Sequence, residues 1–275
     1  MWIAALQMRP EGETAANLAK IGRAAQAAVA QGAELLVAPE MATTGYAIWA
    51  DIPRLAEPRN GPIVRHLQRI ARENAITVVA GFPECDGEIV YNAAALVTPA
   101  GEVSIYRKCH LFGPHERAAF SAGGAHPALI DVGGMRTAML ICYDVEFPEM
   151  VRRAALAGAD LVVVPTALPR GAPAARVSGT MVPTRAFENH VFVVYADLCG
   201  EENGTAYQGG SVIAAPDGES LARAGMSETL LVTQVDPSIY AAMELDPYLQ
   251  DRRPDLYLHS GQTPGVIGPI RPGSV

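Results

Sequence analysis

Three residues of this chain have side chains that could carry out covalent catalysis together. Glu40, Lys108 and Cys142 each stand at the end of a run rich in Val, Ile, Leu and Ala. A cysteine nucleophile needs a base to take the thiol proton and a donor for the developing oxyanion. A glutamate can be that base if burial raises its pKa, and a lysine can stabilise both thiolate and oxyanion. Each residue alone has a plainer interpretation, since core cysteines and solvated loop charges are common, but their joint placement favours one shared site.

Cys142 lies where a strand-like run (138–141) meets a helix that opens at Phe147-Pro148-Glu149. Proline suits the first turn of a helix, and an acidic residue there complements the helix dipole. A helix N-terminus favours the thiolate form of a nearby cysteine, so we expect a reactive thiol. Histidine is the commoner partner of such a cysteine. His110 and His115 therefore leave open a Cys–His acyltransferase.

The elements that would position these residues occur twice along the chain. The segment Gly32–Pro39 recurs as Gly158–Pro165, and the turn Pro99–Glu102 resembles Pro216–Glu219. Each half reads as strand, helix, strand, helix, strand and hairpin, and the strands are apolar on both sides. We therefore predict an α/β fold, a duplicated four-layer α-β-β-α sandwich with two mixed sheets. The polar stretch 108–116 is expected to be a loop.

A chain of 275 residues can form one large domain or two smaller ones, and we expect one domain over residues 1–275, with an extended tail from about residue 247 that is rich in proline and glycine. The chain is 49% hydrophobic and 18% charged, and its net charge of −8 argues against nucleic acid or an anionic membrane as partner. No apolar run is long enough to span a bilayer. Four scattered cysteines without a Cys-x-x-Cys pair are typical of a reducing compartment, so we expect a cytoplasmic protein.

Three sequence blocks resemble the signature blocks of the nitrilase superfamily of carbon–nitrogen hydrolases. They are Pro39-Glu40, Tyr106-Arg107-Lys108-x-His110-Leu111-Phe112, and the block from Ile141 to Glu149 with the sequence Ile-Cys-Tyr-Asp-Val-Glu-Phe-Pro-Glu. Each block is weak alone, but the three occur in the family's order. The resemblance covers about residues 1–260, and the family's duplicated sandwich agrees with the repeat described above.

The resemblance implies a role for each catalytic residue. Glu40 would be the general base and acid, Lys108 the electrophilic donor and Cys142 the nucleophile. Glu116 matches the family's second glutamate, which would hold Lys108 and position the substrate amide. The backbone N–H of Tyr143 would complete the oxyanion hole. No metal or organic cofactor is expected, and the chain has no His-Glu-x-x-His motif.

The residues after Cys142 resemble those of small bacterial amidases more than those of true nitrilases, which usually carry Trp-Glu there. This implies hydrolysis of a small aliphatic or amino-acid amide to carboxylic acid and ammonia through a cysteine thioester. The alternatives are an N-carbamoyl-amine hydrolase, an ω-amide hydrolase, and a catalytically silent regulatory or binding protein on the same fold. The resemblance also implies a homodimer or a larger homo-oligomer.

Substrate specificity is weakly encoded in the sequence. Tyr46, in the loop after Glu40, is a candidate for the pocket wall, as are Thr166 and Ala167 after the second half's repeated strand. Glu146 could bind a substrate ammonium group, although a capping or salt-bridged carboxylate is the plainer interpretation.

Overall fold

The computed structural model describes residues 1–124, 128–241, 243 and 245–257. The chain divides into two compact units, Met1–Leu245 and Asp246 onward. The described part of the second unit is turns and a short helix at Pro254–Tyr257, beside an ion pair between Arg253 and Asp255. Most of the predicted tail, residues 258–275, lies outside the described residues.

The first unit contains, within the described residues, two six-stranded mixed sheets and a two-stranded ribbon. Its strands are β1 Trp2–Gln7, β2 Leu35–Val37, β3 Thr77–Asp86, β4 Ile89–Val97, β5 Val103–Arg107, β6 Ile130–Val132, β7 Met135–Met139, β8 Leu161–Thr166, β9 Phe192–Asp197, β10 Glu201–Glu202, β11 Thr205–Ala206, β12 Val212–Ala214, β13 Ser220–Arg223 and β14 Thr229–Gln234.

The two large sheets have the same topology. The first has the order β14-β1-β2-β3-β4-β5 and the second, read from the equivalent edge, β6-β7-β8-β9-β12-β13. In each, three central strands are parallel and the flanking strands are antiparallel. The duplication predicted from the repeated segments is therefore confirmed.

Helices cover the outer face of each sheet. The helices are α1 Thr14–Val29, α2 Ile52–Leu55, α3 Pro62–Asn74, α4 Gly113–Ala119, α5 Pro148–Leu156, α6 Ala172–Arg176, α7 Val182–Asn189, α8 Pro237–Ala241 and, in the second unit, α9 Pro254–Tyr257. Helices α1 and α3 pack on each other and on the first sheet, and α5 packs on α7, which covers the second. Strands β1, β2 and β3 contact β8 and β9 across the middle of the unit. This is the predicted α-β-β-α sandwich, and strands buried on both faces explain the continuous apolar runs.

Two expected elements differ from the structure. The stretch 108–116 is not all loop, because α4 begins at Gly113, whose φ of 67° turns the chain, and Pro114 suits its first turn. The sequence pattern predicts a helix only near 180–189, but in the structure it begins earlier, since α6 and a π-helical turn, Val177–Met181, lead directly into α7. Residues 172–180 are mostly small, so they carry too little apolar periodicity to reveal this helix.

Candidate active site

Glu40, Lys108 and Glu116 form a buried, hydrogen-bonded row. The Lys108 Nζ donates to Glu40 Oε1 at 2.8 Å and to Glu116 Oε1 at 2.6 Å, and all three side chains are fully buried. Cys142 is also buried, and its thiol lies in the electrostatic field of all three. The turns after β2, β5 and β7 therefore bring together the residues that were singled out in the sequence.

Glu40 is held on both sides of its carboxylate. Besides Lys108, its Oε1 accepts a hydrogen bond from Asn92 Nδ2 at 2.6 Å, and its Oε2 accepts one from the backbone N–H of Ala167 at 2.8 Å. Its backbone lies against Gly81 of β3, where an added Cβ would stand 2.6 Å from the Glu40 Cα. Only glycine permits this approach, so Gly81 sets where Glu40 can lie.

Burial raises the pKa of Glu40 to about 7, because water no longer solvates the carboxylate. Lys108 opposes this rise, the nearby Glu116 carboxylate adds to it, and hydrogen bonds from Lys108 and Asn92 lower the pKa again. A carboxyl group with a pKa near neutrality can accept and return a proton within one turnover. This is the property that a general base and acid requires.

Lys108 stays charged in its buried position. Burial acts to lower its pKa, but the carboxylates of Glu40 and Glu116 raise it above the usual value for lysine. Glu116 is itself fixed, because its Oε1 accepts the Tyr46 hydroxyl at 2.6 Å and its Oε2 accepts the Phe112 N–H at 2.7 Å. A rigid ammonium near the Cys142 thiol is suited to stabilise negative charge that develops there.

The backbone at Cys142 adopts a left-handed conformation, with φ of 46°, at the start of a 3-10 turn, Cys142–Glu146. Helix α5 follows with proline in its first turn, as predicted. The carboxylate of Asp144 fixes this turn, accepting hydrogen bonds from the Ile141 N–H at 3.2 Å and the Tyr106 hydroxyl at 2.9 Å. It also accepts the His110 N–H at 2.9 Å, which ties the turn to the segment that carries Lys108.

The position of Cys142 before a helical turn does not lower the pKa of its thiol. Burial raises the pKa of Cys142 well above its usual value, and the Glu40 carboxylate raises it further. Lys108 and the Ala167 amide, a hydrogen-bond donor to the thiol, lower it without reversing the outcome. The short 3-10 turn does not outweigh desolvation and the adjacent carboxylate, so the thiol needs a base to be activated.

The two histidines lie in other environments. His110 Nδ1 is 2.8 Å from Asp144 Oδ1, and its ring stacks on Phe147 with centroids 3.9 Å apart. His115 stacks on Trp49. Among the described residues neither histidine hydrogen-bonds to Cys142. The geometry thus favours Glu40, not a histidine, as the base.

The candidate substrate-binding residues fall into two groups. Tyr46 and Ala167 are bonded to the catalytic carboxylates, and the Thr166 hydroxyl donates to the Val164 carbonyl at 3.1 Å, inside its own strand. Tyr143 and Glu146 are partly exposed. The Tyr143 ring packs edge-on against the rings of Phe112 and Phe147, forming an aromatic cluster beside the nucleophile turn.

Glu146 keeps a free carboxylate near the site. Its side chain accepts no hydrogen bond from the described residues, although its backbone carbonyl accepts one from Arg185 at 2.8 Å. Burial raises the pKa of Glu146, and the charges of Lys108 and Arg185 lower it. A half-buried carboxylate in the electrostatic field of Lys108, with no hydrogen bond from the described residues, is available to bind a cation.

Sequence reasoning missed Asn92 and Gly81 as contributors to the site, and named Asp144 only as part of a motif. Asn92 and Gly81 lie within strands whose patterns are otherwise apolar, and nothing nearby marks them as neighbours of Glu40. Within the described residues, no group of three or more His, Cys, Asp and Glu could hold a metal ion. No helix found there has the length and apolar character needed to cross a membrane.

Comparison with known proteins gives consistent matches. Residues 2–244 match the carbon–nitrogen hydrolase family. The "hydrolase in pqqF 5′ region" of Pseudomonas protegens is 42% identical over 89% of this chain and 86% of its own length. A nitrilase of Pyrococcus abyssi is 35% identical, covering 93% and 98%, and an (R)-stereoselective amidase of a Pseudomonas species is 36% identical, covering 92% and 90%.

Solved structures of an amidase from Nesterenkonia sp. AN1 share the fold. The chain is 38% identical to one of them, with a TM-score of 0.84 over 94% of this chain and 98% of that one. That structure, of a Glu-to-Gln variant, shows acrylamide added to the active-site cysteine. Another, of a Glu-to-Leu variant, shows the acetamide moiety of fluoroacetamide on the same residue.

Proposed function

This chain belongs to the carbon–nitrogen hydrolase family, and we propose that it hydrolyses a small aliphatic or amino-acid amide with Cys142 as nucleophile. Glu40 is the general base and acid, Lys108 the oxyanion donor, and Glu116 the residue that fixes Lys108. The observation that carries the proposal is the buried Glu40–Lys108–Glu116 row, in whose electrostatic field the buried Cys142 thiol lies. Amidase names among the similar proteins support the substrate class.

The first half-reaction forms a thioester. Glu40 takes the Cys142 proton as the sulfur bonds to the amide carbon, and the carbonyl π electrons move to oxygen. Lys108 Nζ and the Tyr143 N–H stabilise this oxyanion, since the first N–H groups of a helical turn have no partner within it. When the intermediate collapses, the C–N bond breaks and Glu40 returns the proton to nitrogen, which leaves as ammonia.

The second half-reaction releases the acid. Glu40 takes a proton from water as the water oxygen bonds to the thioester carbon, and the same donors hold the second oxyanion. Collapse breaks the C–S bond, the carboxylic acid departs, and the proton on Glu40 restores the Cys142 thiol. A pKa of about 7 suits Glu40 to each of these transfers.

A positively charged substrate is the finer proposal. The Glu146 carboxylate is half-buried, lies in the electrostatic field of Lys108 and accepts no hydrogen bond from the described residues, so it can bind the ammonium group of an amino-acid amide. The same charge repels the free carboxylate of an ω-amide or an N-carbamoyl amino acid. Glu146 therefore favours the amidase over these two alternatives.

The test is ammonia release from a matched panel. It contains short aliphatic amides, amino-acid amides, ω-amides, N-carbamoyl compounds and the corresponding nitriles. We expect turnover of amides, its loss in Cys142→Ala, and its retention in Cys85→Ala, a control cysteine in β3. Turnover of nitriles or carbamoyl compounds alone would replace the proposed substrate class. Inertness toward the whole panel would favour a silent binding protein.

Assembly and location stay predictions. We propose a homodimer or larger homo-oligomer, which the family resemblance implies. The exposed Leu156 on α5 offers apolar surface for such a contact. Light scattering coupled to size exclusion would contradict it by giving a mass of about 29.0 kDa, the mass of one chain. A cytoplasmic location is likewise a prediction from cysteine usage.

A further inference from the structure

Asp197 is a buried carboxyl group behind the catalytic residues, at the end of β9. It pairs in register with Thr166, the last residue of β8, and its side chain is fully buried. Its Oδ1 accepts the backbone N–H of Leu168 at 2.8 Å, whereas its Oδ2 has no hydrogen-bond partner among the described residues. Burying a polar group with one oxygen unpaired is costly, which points to a role.

The turn that Asp197 holds touches both the base and the nucleophile. Leu168 follows Ala167, whose N–H donates to Glu40 Oε2 at 2.8 Å and is also a donor to the Cys142 thiol. The carbonyl of the same peptide unit, that of Thr166, accepts the Leu198 N–H at 3.1 Å. The peptide that faces Glu40 is thus anchored by β9 through its carbonyl, and the next peptide is anchored through Asp197.

The charge state of Asp197 fits such a role. Burial raises the pKa of Asp197 well above its usual value, and the Glu40 carboxylate adds to the rise, while the Leu168 and Leu198 backbone amides oppose it; the balance favours the neutral acid. The other titratable side chains in its field are Tyr195 and Cys199. A neutral carboxyl accepts the Leu168 N–H without placing a further negative charge beside Glu40 and Glu116.

We propose that Asp197 is a positioning residue for the hydrolytic reaction, which holds the 167–168 turn so that the Ala167 amide faces Glu40 and Cys142. The inference rests on the proposed roles of Glu40 and Cys142. Asp197 touches neither substrate nor thiol and acts only through this backbone turn. The reaction requires of residue 197 an uncharged side chain whose acceptor atom extends to the Leu168 N–H.

The test compares Asp197→Asn, Asp197→Ala and Ser211→Ala. The Asn variant keeps an acceptor for the Leu168 N–H, so we expect its kcat to stay within about threefold of the wild-type value and its pH–rate profile to be unchanged. The Ala variant lowers kcat about 10- to 100-fold with less effect on KM, since displaced catalytic groups cost rates of this order. In the Ala variant the rise of kcat/KM with pH moves to higher pH, because the Glu40 carboxylate loses the hydrogen bond from the Ala167 N–H.

Ser211→Ala is the matched control. The Ser211 hydroxyl accepts the Asp197 backbone N–H at 2.9 Å, at the same buried end of β9, but it does not touch the 167–168 turn. We expect the Ser211→Ala substitution to lower thermal stability and to leave kcat and the acidic side of the pH–rate profile unchanged. If Ala fails to fold at position 197, Asp197→Leu, which has the same branching and a larger side chain but lacks the acceptor, is measured in the same way.

Alkylation of Cys142 by acrylamide, followed by mass spectrometry across pH, gives a readout that needs no amide turnover. If no amide is turned over, the proposed function fails, while slower alkylation in the Ala variant than in the Ser211 control still supports Asp197. Wild-type kcat and alkylation in a folded Ala or Leu variant would overturn the inference. So would an Asn variant as impaired as Ala, or a Ser211 control that reproduces the shifted pH–rate profile.

Discussion

The Oε2 atom of Glu40 accepts the backbone N–H of Ala167 at 2.8 Å, and this bond joins the two halves of the duplicated fold. Glu40 follows β2, and Ala167 follows β8, its counterpart in the second sheet. The repeated segments end at Pro39 and Pro165, so equivalent turns meet at the centre of the sandwich. One turn supplies Glu40, the proposed base, and the other supplies a backbone donor that orients its carboxylate.

The pH dependence should report Glu40. Only its ionised form can take the thiol proton, so kcat/KM is expected to rise as pH rises through about 7. Asn92→Ala removes a hydrogen bond that stabilises the Glu40 carboxylate, so the pH at which kcat/KM rises should increase by about one unit. Asn17→Ala is the control. Asn17 is also buried, but its Oδ1 accepts the Glu11 backbone N–H, away from Glu40. A pH–rate profile unmoved in Asn92→Ala would argue against Glu40 as the titrating base.

Tyr46→Phe should impair catalysis without unfolding the protein. It deletes the 2.6 Å hydrogen bond to Glu116 Oε1, the oxygen that also receives Lys108. A hydrogen bond to a charged group is worth about 1.5–3 kcal/mol, so we expect kcat/KM to fall roughly tenfold or more. Steady-state kinetics on the best amide measure it. Tyr91→Phe, a half-buried tyrosine outside the site, should leave the rate unchanged, and equal rates in both variants would contradict the role of Tyr46.

Gly81→Ala should displace Glu40. The added Cβ would collide with the Glu40 and Met41 backbone, which cannot move aside as a flexible side chain could. Overpacking of this kind costs roughly 1–3 kcal/mol of unfolding free energy, and the rate should fall with it. Urea unfolding and ammonia release measure the two effects. Gly225→Ala, where a Cβ meets nothing within 4 Å, is the control, and a fully active Gly81→Ala enzyme would show that Glu40 tolerates movement.

Glu146→Gln should change substrate preference, not chemistry. Loss of the carboxylate is expected to lower kcat/KM for amino-acid amides about tenfold, the equivalent of one charge-assisted hydrogen bond, while neutral aliphatic amides are unaffected. The comparison of one charged and one neutral amide of similar size measures it. Glu149→Gln, an exposed carboxylate in the first turn of α5, serves as the control. A parallel loss on both amides would rule out Glu146 as an ammonium-binding residue.

The sequence by itself was sufficient for the duplicated architecture and for where Glu40, Lys108 and Cys142 stand on it. Strand and turn patterns are short-range signals, and two copies in the same order specify two equivalent sheets. Glu116 was reached through the family motif, although the helix that carries it was not predicted. The type and position of these residues are local properties of the chain.

The tertiary structure alone decided how those residues behave. Asn92, Gly81 and Asp197 reach the site because strands far apart in sequence pack together, and no local pattern encodes that contact. It also set the balance at Cys142. A helix N-terminus favours the thiolate, but burial and the Glu40 carboxylate outweigh Lys108 and raise the pKa of the Cys142 thiol, so activation depends on the base that the sequence analysis assigned to Glu40. Burial and the distances between charges set protonation, and both exist only once the two sheets have closed on each other.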